Sequence, residues 1–239
     1  MTKTKSLAGR IALITGASRG IGAAVAKRFA AEGAHIVAVA RNVGALEELD
    51  DAIGEAGGSA TLVPLDMREL DRVDSLGPSL YERFGKLDIL VGNAALLGTL
   101  GPLSHHDPKL WNDVMTVNVT ANYRLIRTLE PLLKRSDAGR AIFVTSGAAE
   151  RVSAYWGAYA TSKAALNTMV LTWAAEIAKT NVRVNLLSPG ATRTSMRAQA
   201  FPGENPETLP APEEITDSFL ALASPACTKH GEIVNARRR

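Results

Sequence analysis

Seven short runs rich in β-branched and aliphatic residues recur along the chain: IALIT at 11–15, HIVAVA at 35–40, ATLVP at 60–64, DILVG at 88–92, AIFVTS at 141–146, VRVNLLS at 182–188 and EIV at 232–234. Longer stretches with helical spacing separate them. Ile21, Val25 and Phe29 fall at i, i+4 and i+8, and Leu166, Met169, Val170, Trp173 and Ile177 at i, i+3, i+4, i+7 and i+11, so each stretch presents one apolar stripe. Strands alternating with such helices predict a parallel sheet wrapped by helices. The rhythm breaks at residues 190–213, where Pro202, Pro206, Pro210 and Pro212 interrupt a segment without strand pattern. A loop of that length is functional or disordered, and here it is expected to be a substrate lid, mobile until ligand binds. No repeat, low-complexity tract or linker divides the 239 residues, so one domain over 1–239 is expected.

Composition narrows the class without naming a function. With 46% apolar and 21% charged residues the chain matches ordinary globular proteins, which argues against disorder. The net charge is only +3 and the basic residues are spread out, apart from Lys3 and Lys5 at one end and Arg237-Arg238-Arg239 at the other. Both ends read as solvated tails, and no nucleic-acid partner is expected. The single cysteine, Cys227, excludes an internal disulfide and suits a reducing compartment. No apolar run approaches the ~18 residues of a membrane span, and the N-terminal residues lead straight into the first strand, so a cytoplasmic protein is expected.

The first strand runs into Thr15-Gly16-Ala17-Ser18-Arg19-Gly20-Ile21-Gly22, with a helix directly after it. Gly16 permits a tight turn, Gly20 lets the backbone approach a pyrophosphate, and Gly22 lets helix and strand pack closely. The helix N-terminus then offers N–H groups and a positive dipole end to phosphates, with Ser18, Arg19 and Ile21 alongside. Where the second strand ends, NAD sites usually place a carboxylate for the ribose hydroxyls. Here the chain reads Val39-Ala40-Arg41-Asn42. Arg41, with Arg19 as a second cation, instead suits a 2′-phosphate, which favours NADP over NAD.

At 154–163 the chain reads AYWGAYATSK. On a helix Tyr159 and Lys163 share a face, with Tyr155 one turn away. A phenol ionises near pH ~10 and needs a neighbouring positive charge to exchange protons near neutrality. Lys163 can supply it. Ser146 falls at the end of the fifth strand, on the side of a parallel sheet where ligands collect, and Asn118 precedes it in a long helix. The glycine turn, Asn93-Ala94-Ala95, Asn118, Ser146, Tyr159-x-x-x-Lys163 and Ser188-Pro189-Gly190 occur in this order. This set closely resembles the short-chain dehydrogenase/reductase family in its compact single-domain branch, over essentially residues 8–235.

The resemblance implies a Rossmann-like three-layer α/β/α sandwich with a doubly wound, mostly parallel seven-stranded sheet. It implies hydride transfer between NADP and a small carbonyl or alcohol. Tyr159 would be the general acid/base, Lys163 would lower its pKa and bind the nicotinamide ribose, Ser146 would polarise the substrate oxygen, and Asn118 would hold a proton-relay water. Asn93 would support the strand beside the cofactor, Pro189, Gly190 and Thr194 would lie against the nicotinamide, and Asp66 would meet the adenine amino group. Asp66-Met67-Arg68-Glu69 also reads as a capping box. Tyr155 is expected in the substrate pocket beside Trp156.

Two departures stand out: Ala95 replaces a common glycine, and the chain ends Asn235-Ala236-Arg237-Arg238-Arg239. A positive φ at Ala95 would cost roughly 1–2 kcal/mol. The resemblance further implies a homodimer or homotetramer, built through the helices carrying Asn118 and Tyr159. The lid looks most like that of bacterial oxidoreductases without an assigned substrate. No metal is implied, and His105 and His106 read as surface residues where a helix begins. A cofactor-binding sensor without turnover is the competing class, and retention of all four catalytic residues argues against it.

Overall fold

Successive residues of each strand divide between two cores, one on each face of a sheet. Leu13, Val37, Leu90, Phe143 and Leu186 point to one side, and Ile14, Ile36, Val91, Ile142 and Leu187 to the other, all fully buried. The period of two places neighbours on opposite faces, so an apolar run needs cover on both. The computed structural model describes residues 5–236; Lys3 and Arg237 to Arg239 lie outside them. The strands are β1 Ile11–Thr15, β2 His35–Ala40, β3 Ser59–Pro64, β4 Ile89–Gly92, β5 Arg140–Val144, β6 Arg183–Ser188 and β7 Glu232–Asn235. All pair in parallel, in the order β3-β2-β1-β4-β5-β6-β7.

Helices α1 Gly20–Ala31 and α2 Val43–Glu55, with α9 Thr216–Ala223, cover one face through Val25, Phe29, Leu46, Ile53 and Phe219. The other face is covered by α3 Leu70–Asp74, α4 Leu76–Phe84, α5 Pro108–Met115, α6 Ala121–Lys134 and α7 Gly157–Glu176, through residues such as Leu80, Leu125, Leu129, Leu166 and Trp173. Because β1 pairs with β2 on one side and β4 on the other, the winding reverses between β1 and β4. A crevice opens there at the carboxyl ends of the strands.

The Pro-rich segment after β6 differs from the expected loop. It contains α8 Ser195–Ala200, whose N-cap Thr194 accepts the Arg197 N–H at 3.2 Å. Pro206 and Pro212 are the first residues of short 3-10 turns, preceded by Asn205, which caps Glu207, and Ala211, whose N–H is taken by Glu214 at 2.6 Å. A proline that breaks a helix from inside starts one at its first position, where its missing N–H has no partner to lose.

Candidate active site

The glycine turn is shaped by close approach. Gly16 has φ +66°, and a Cβ on Gly22 would come within 2.2 Å of the Gly16 carbonyl oxygen. Gly20, at φ +56°, faces Thr194 of the segment after β6. Across the switch point, Thr15 Oγ1 accepts the N–H groups of Asn93 and Ala94, each at 3.0 Å, while Asn93 Nδ2 donates to the Thr15 carbonyl at 2.9 Å. Asn93 thus locks the turn to the end of β4. Arg19, the N-cap of α1, makes no side-chain cap, so the first N–H groups remain open to an anion. Gly22→Ala is expected to cost about 1–3 kcal/mol by overpacking in urea unfolding. Gly54→Ala in α2, with nothing within 4 Å, should be neutral or slightly stabilising.

At the edge of the second strand Arg41 is 54% exposed, with Asp66 3.7 Å away. Asp66 is no helix cap: α3 starts at Leu70 after Glu69, and Asp66 Oδ1 instead accepts the Arg68 N–H at 2.9 Å. The Asx turn wins because it closes over two residues. It also folds the Arg68 guanidinium back onto the same carboxylate, with Nη2 2.7 Å from Oδ2, and Arg68 reaches Asp113 of α5 at 3.2 Å. Arg68 holds the Asp66 carboxyl below its ordinary range. The longer approach of Arg41 leaves its charge largely uncommitted.

Asn118 sits in a π-helical turn, Thr116–Thr120, joining α5 to α6. Its side chain is fully engaged: Oδ1 accepts the Leu96 N–H at 2.8 Å, and Nδ2 donates to the Leu96 carbonyl and Ser162 Oγ, both at 2.9 Å. The Asn118 carbonyl takes a bond from Asn122 at 2.9 Å and keeps a second acceptor site. Ser146 lies two residues beyond β5, as N-cap of the 3-10 turn Gly147–Ala149. Its Oγ accepts the Ala148 N–H at 3.2 Å, which leaves its own proton free to donate.

Tyr159 and Lys163 lie in the first turns of α7, both buried. Lys163 Nζ donates to the Val144 carbonyl at 2.8 Å and stands 5.8 Å from the Tyr159 ring centre. Burial pulls the ammonium down to about 8. Burial also pushes the Tyr159 phenol up, against the opposing pull of the Ser146 hydroxyl. In the ligand-free protein burial sets the direction of both groups, and a lysine lowered only to about 8 still carries its charge at neutral pH. With three exceptions, Gly22, Asn118 and Tyr155, every site residue named from the sequence lines one cleft of about 1280 Å³. That exceeds the ~300–1,000 Å³ of typical small-molecule pockets.

The family model described as short chain dehydrogenase matches residues 10–205. The chain is a short-chain dehydrogenase. It is similar to the uncharacterized oxidoreductase YciK of Escherichia coli, with 39% identity over 216 residues, covering 89% of this chain and 85% of that one. Two similar solved structures are short chain dehydrogenases: one from Shigella flexneri complexed with NADP (37% identity, TM-score 0.95, 99% and 100% covered) and one from Escherichia coli complexed with NADPH (38%, 0.93, 99% and 100%).

In this short-chain dehydrogenase Tyr155 departs from expectation. It is 61% exposed, does not line the cleft, and has φ +72°. The left-handed turn, held by a 3.0 Å bond from Gly101 N–H to the Tyr155 carbonyl, sends the ring outward while the next residue, Trp156, lines the cleft. Tyr155 is the sole non-glycine residue with positive φ among the described residues, so Ala95 carries no backbone strain. His106 bonds the Gly101 carbonyl at 3.2 Å beside the 3-10 turn Leu103–His105. Arg197 and Asn235, both in the cleft lining, had no sequence signal beyond their residue types. The Asp-x-Arg spacing of an Asx turn is the one cue that points to Arg68.

Proposed function

We propose that the chain is an NADP-dependent oxidoreductase that interconverts a carbonyl and an alcohol, with Tyr159 as the general acid/base. The observation that carries this reading is the convergence of Ser146, Tyr159 and Lys163 at one end of a cleft whose other end holds Arg19 and Arg41. The cradle fits a dinucleotide, because the turn closes tightly at Gly16 and Gly22, where a Cβ would collide, Gly20 keeps a positive φ, and the α1 N-terminus is open. Bound there, the nicotinamide would supply or take up the hydride. Ser146 and Tyr159 donate to the substrate oxygen as negative charge develops on it, and Tyr159 delivers its proton. Lys163 orients the ribose, and its charge, once the site fills, favours the phenolate. Asn118 acts on position: it ties the Leu96 backbone to Ser162 on α7, and its carbonyl oxygen is the atom that remains for a relay water. Asn93, Asp66, Pro189, Gly190 and Thr194 frame the cofactor. The NADP and NADPH complexes of the two similar structures support the cofactor choice.

Arg19 and Arg41 would hold the 2′-phosphate through charge-assisted hydrogen bonds worth ~1.5–3 kcal/mol apiece. NADPH should then bind at least about tenfold more tightly than NADH at low salt, with a smaller margin at high salt. Arg41→Ala should weaken NADPH binding and leave NADH almost unchanged; Ala40→Asp should reverse the preference. Fluorescence titration of both cofactors decides it, and equal weakening by Arg41→Ala would reduce Arg41 to a surface residue.

Among the described residues no helix is long and apolar enough to cross a membrane; with one cysteine, the reading favours a cytoplasmic enzyme acting on small molecules rather than nucleic acid. Exposed Leu110 and Tyr123 on α5 and α6 support a homodimer or homotetramer through these helices and α7. Sedimentation at micromolar concentration should give a multiple of the chain mass.

A further inference from the structure

The substrate end of the cleft contains an aromatic wall that hydride transfer does not itself require. The Trp156 ring lies 6.0 Å from the Tyr159 ring, nearly edge-on at 64°. Phe201 follows, 5.7 Å from Trp156 and tilted by 38°. All three line the cleft, and Phe201 remains 38% exposed. The Arg197 guanidinium stacks 3.7 Å from the Phe201 ring centre, and both its Nε and Nη2 are held by Glu204 at 2.6 Å. One end of the wall is thus fixed by a salt bridge and the other by the buried Tyr159.

Two consequences follow from the chemistry of these groups. Rings already held in place give up little conformational freedom on binding, and their faces and edges favour another flat ring over a flexible chain, which must freeze its rotors. The charge balance is equally selective. Arg197 is spent on Glu204 and Lys163 on the Val144 carbonyl, while Glu150 and Arg151 are exposed residues of the lining. Of the cations in this part of the lining, Lys163 and Arg197 are committed, and Arg151 stands exposed next to the opposite charge of Glu150, so the wall and the buried Tyr159 carry no net positive charge aimed at a carboxylate or phosphate.

We propose that the substrate is a flat, uncharged ring ketone or the matching ring alcohol, seated against Trp156 and Phe201, with Glu204 and Arg197 as positioning residues of that wall. This rests on the reading of Tyr159 as the proton donor. In reduction, the carbonyl carbon gains hydride from NADPH and the oxygen gains a proton from Tyr159, leaving the ring alcohol and NADP⁺; Tyr159 is reprotonated from solvent.

The test compares NADPH oxidation with α-tetralone, with methyl octyl ketone of the same carbon count, and with phenylpyruvate. The kcat/KM for α-tetralone should exceed both others by about tenfold or more. Phe201→Ala should raise the KM for α-tetralone about tenfold and that for the open-chain ketone by clearly less, with NADPH affinity retained. Glu204→Gln should release Arg197 and selectively improve phenylpyruvate. Equal or better use of the chain ketone or the keto acid, or an unchanged preference in Phe201→Ala, overturns the proposal. If NADPH binds but no ketone turns over, the Tyr159 reading fails instead. The wall is then decided by β-naphthol binding to the NADP-loaded protein: loss in Phe201→Ala upholds it, and unaltered binding overturns it.

Discussion

Replacing Tyr159 by phenylalanine is expected to lower kcat by about 10²–10⁴-fold, the span of a positioned general acid, with the NADPH dissociation constant nearly unchanged. The substitution removes one oxygen and its proton from a ring that is only 8% exposed, so the aromatic packing against Trp156 survives. Ser146 keeps its bond to the Ala148 N–H and can still polarise a carbonyl, which leaves a residual rate. Tyr155→Phe should be close to silent in kcat and KM, because that ring points to solvent. The pH dependence has a direction as well. Burial raises the Tyr159 phenol above its ordinary value in the free enzyme, so the protonated form needed for reduction persists through neutral pH. The kcat/KM for reduction should therefore fall only on the alkaline side. Stopped-flow and steady-state kinetics on both variants test the assignment. Similar, mild losses at both tyrosines would remove Tyr159 from the chemistry.

Lys163→Met is expected to abolish most activity while making the ligand-free protein more stable at pH 7. Burial lowers the lysine from 10.5 to about 8. Between those values the unfolded chain holds a proton that the folded chain has lost, so stability rises with pH across this window. Read downward, stability is lost as pH falls from 10.5 to about 8, and below that the penalty is constant. A shift of that size corresponds to about 3 kcal/mol. Methionine removes the penalty and fills similar volume, but leaves the Val144 carbonyl without its partner, at about 1–3 kcal/mol. The net gain is about 1 kcal/mol at pH 7, and it should vanish or reverse above pH ~10.5. Urea unfolding at both pH values reads it directly. A variant less stable than the parent at pH 7 would mean that the ammonium is solvated or paired in the free enzyme.

The legible part of this protein is the part written in local chemistry. The strands were readable because buried parallel strands are runs of apolar residues, and their parallel pairing followed from the helices between them; the strand order came from the structure. Gly16, Gly20 and Gly22 were readable because a tight turn that brings two backbones together calls for residues without a Cβ or free to take positive φ wherever it occurs. That Tyr159 and Lys163 share a face was readable because a four-residue helical spacing is set by backbone geometry; their roles came from the family resemblance. Each of these depends on residues close in sequence or on one repeating period. The prolines after β6 show the limit of such rules, since the same residue starts a helical turn or breaks one according to where the cap falls.

Tertiary structure alone decided what Asp66, Asn118, Tyr155 and the aromatic wall touch. Asp66 pairs with an arginine two residues on rather than capping a helix, because the chain turns there before α3 begins. Asn118 spends its side chain on Leu96 and Ser162, partners brought in from the loop after β4 and from α7. Tyr155 faces solvent because one left-handed residue reverses the direction of the next side chain. Trp156, Phe201, Arg197 and Glu204 come from two segments far apart in the chain, and nothing in either segment states that they touch. Side-chain partnerships across elements depend on how the helices dock on the sheet, which is set by the summed packing of both cores and not by any short stretch of sequence.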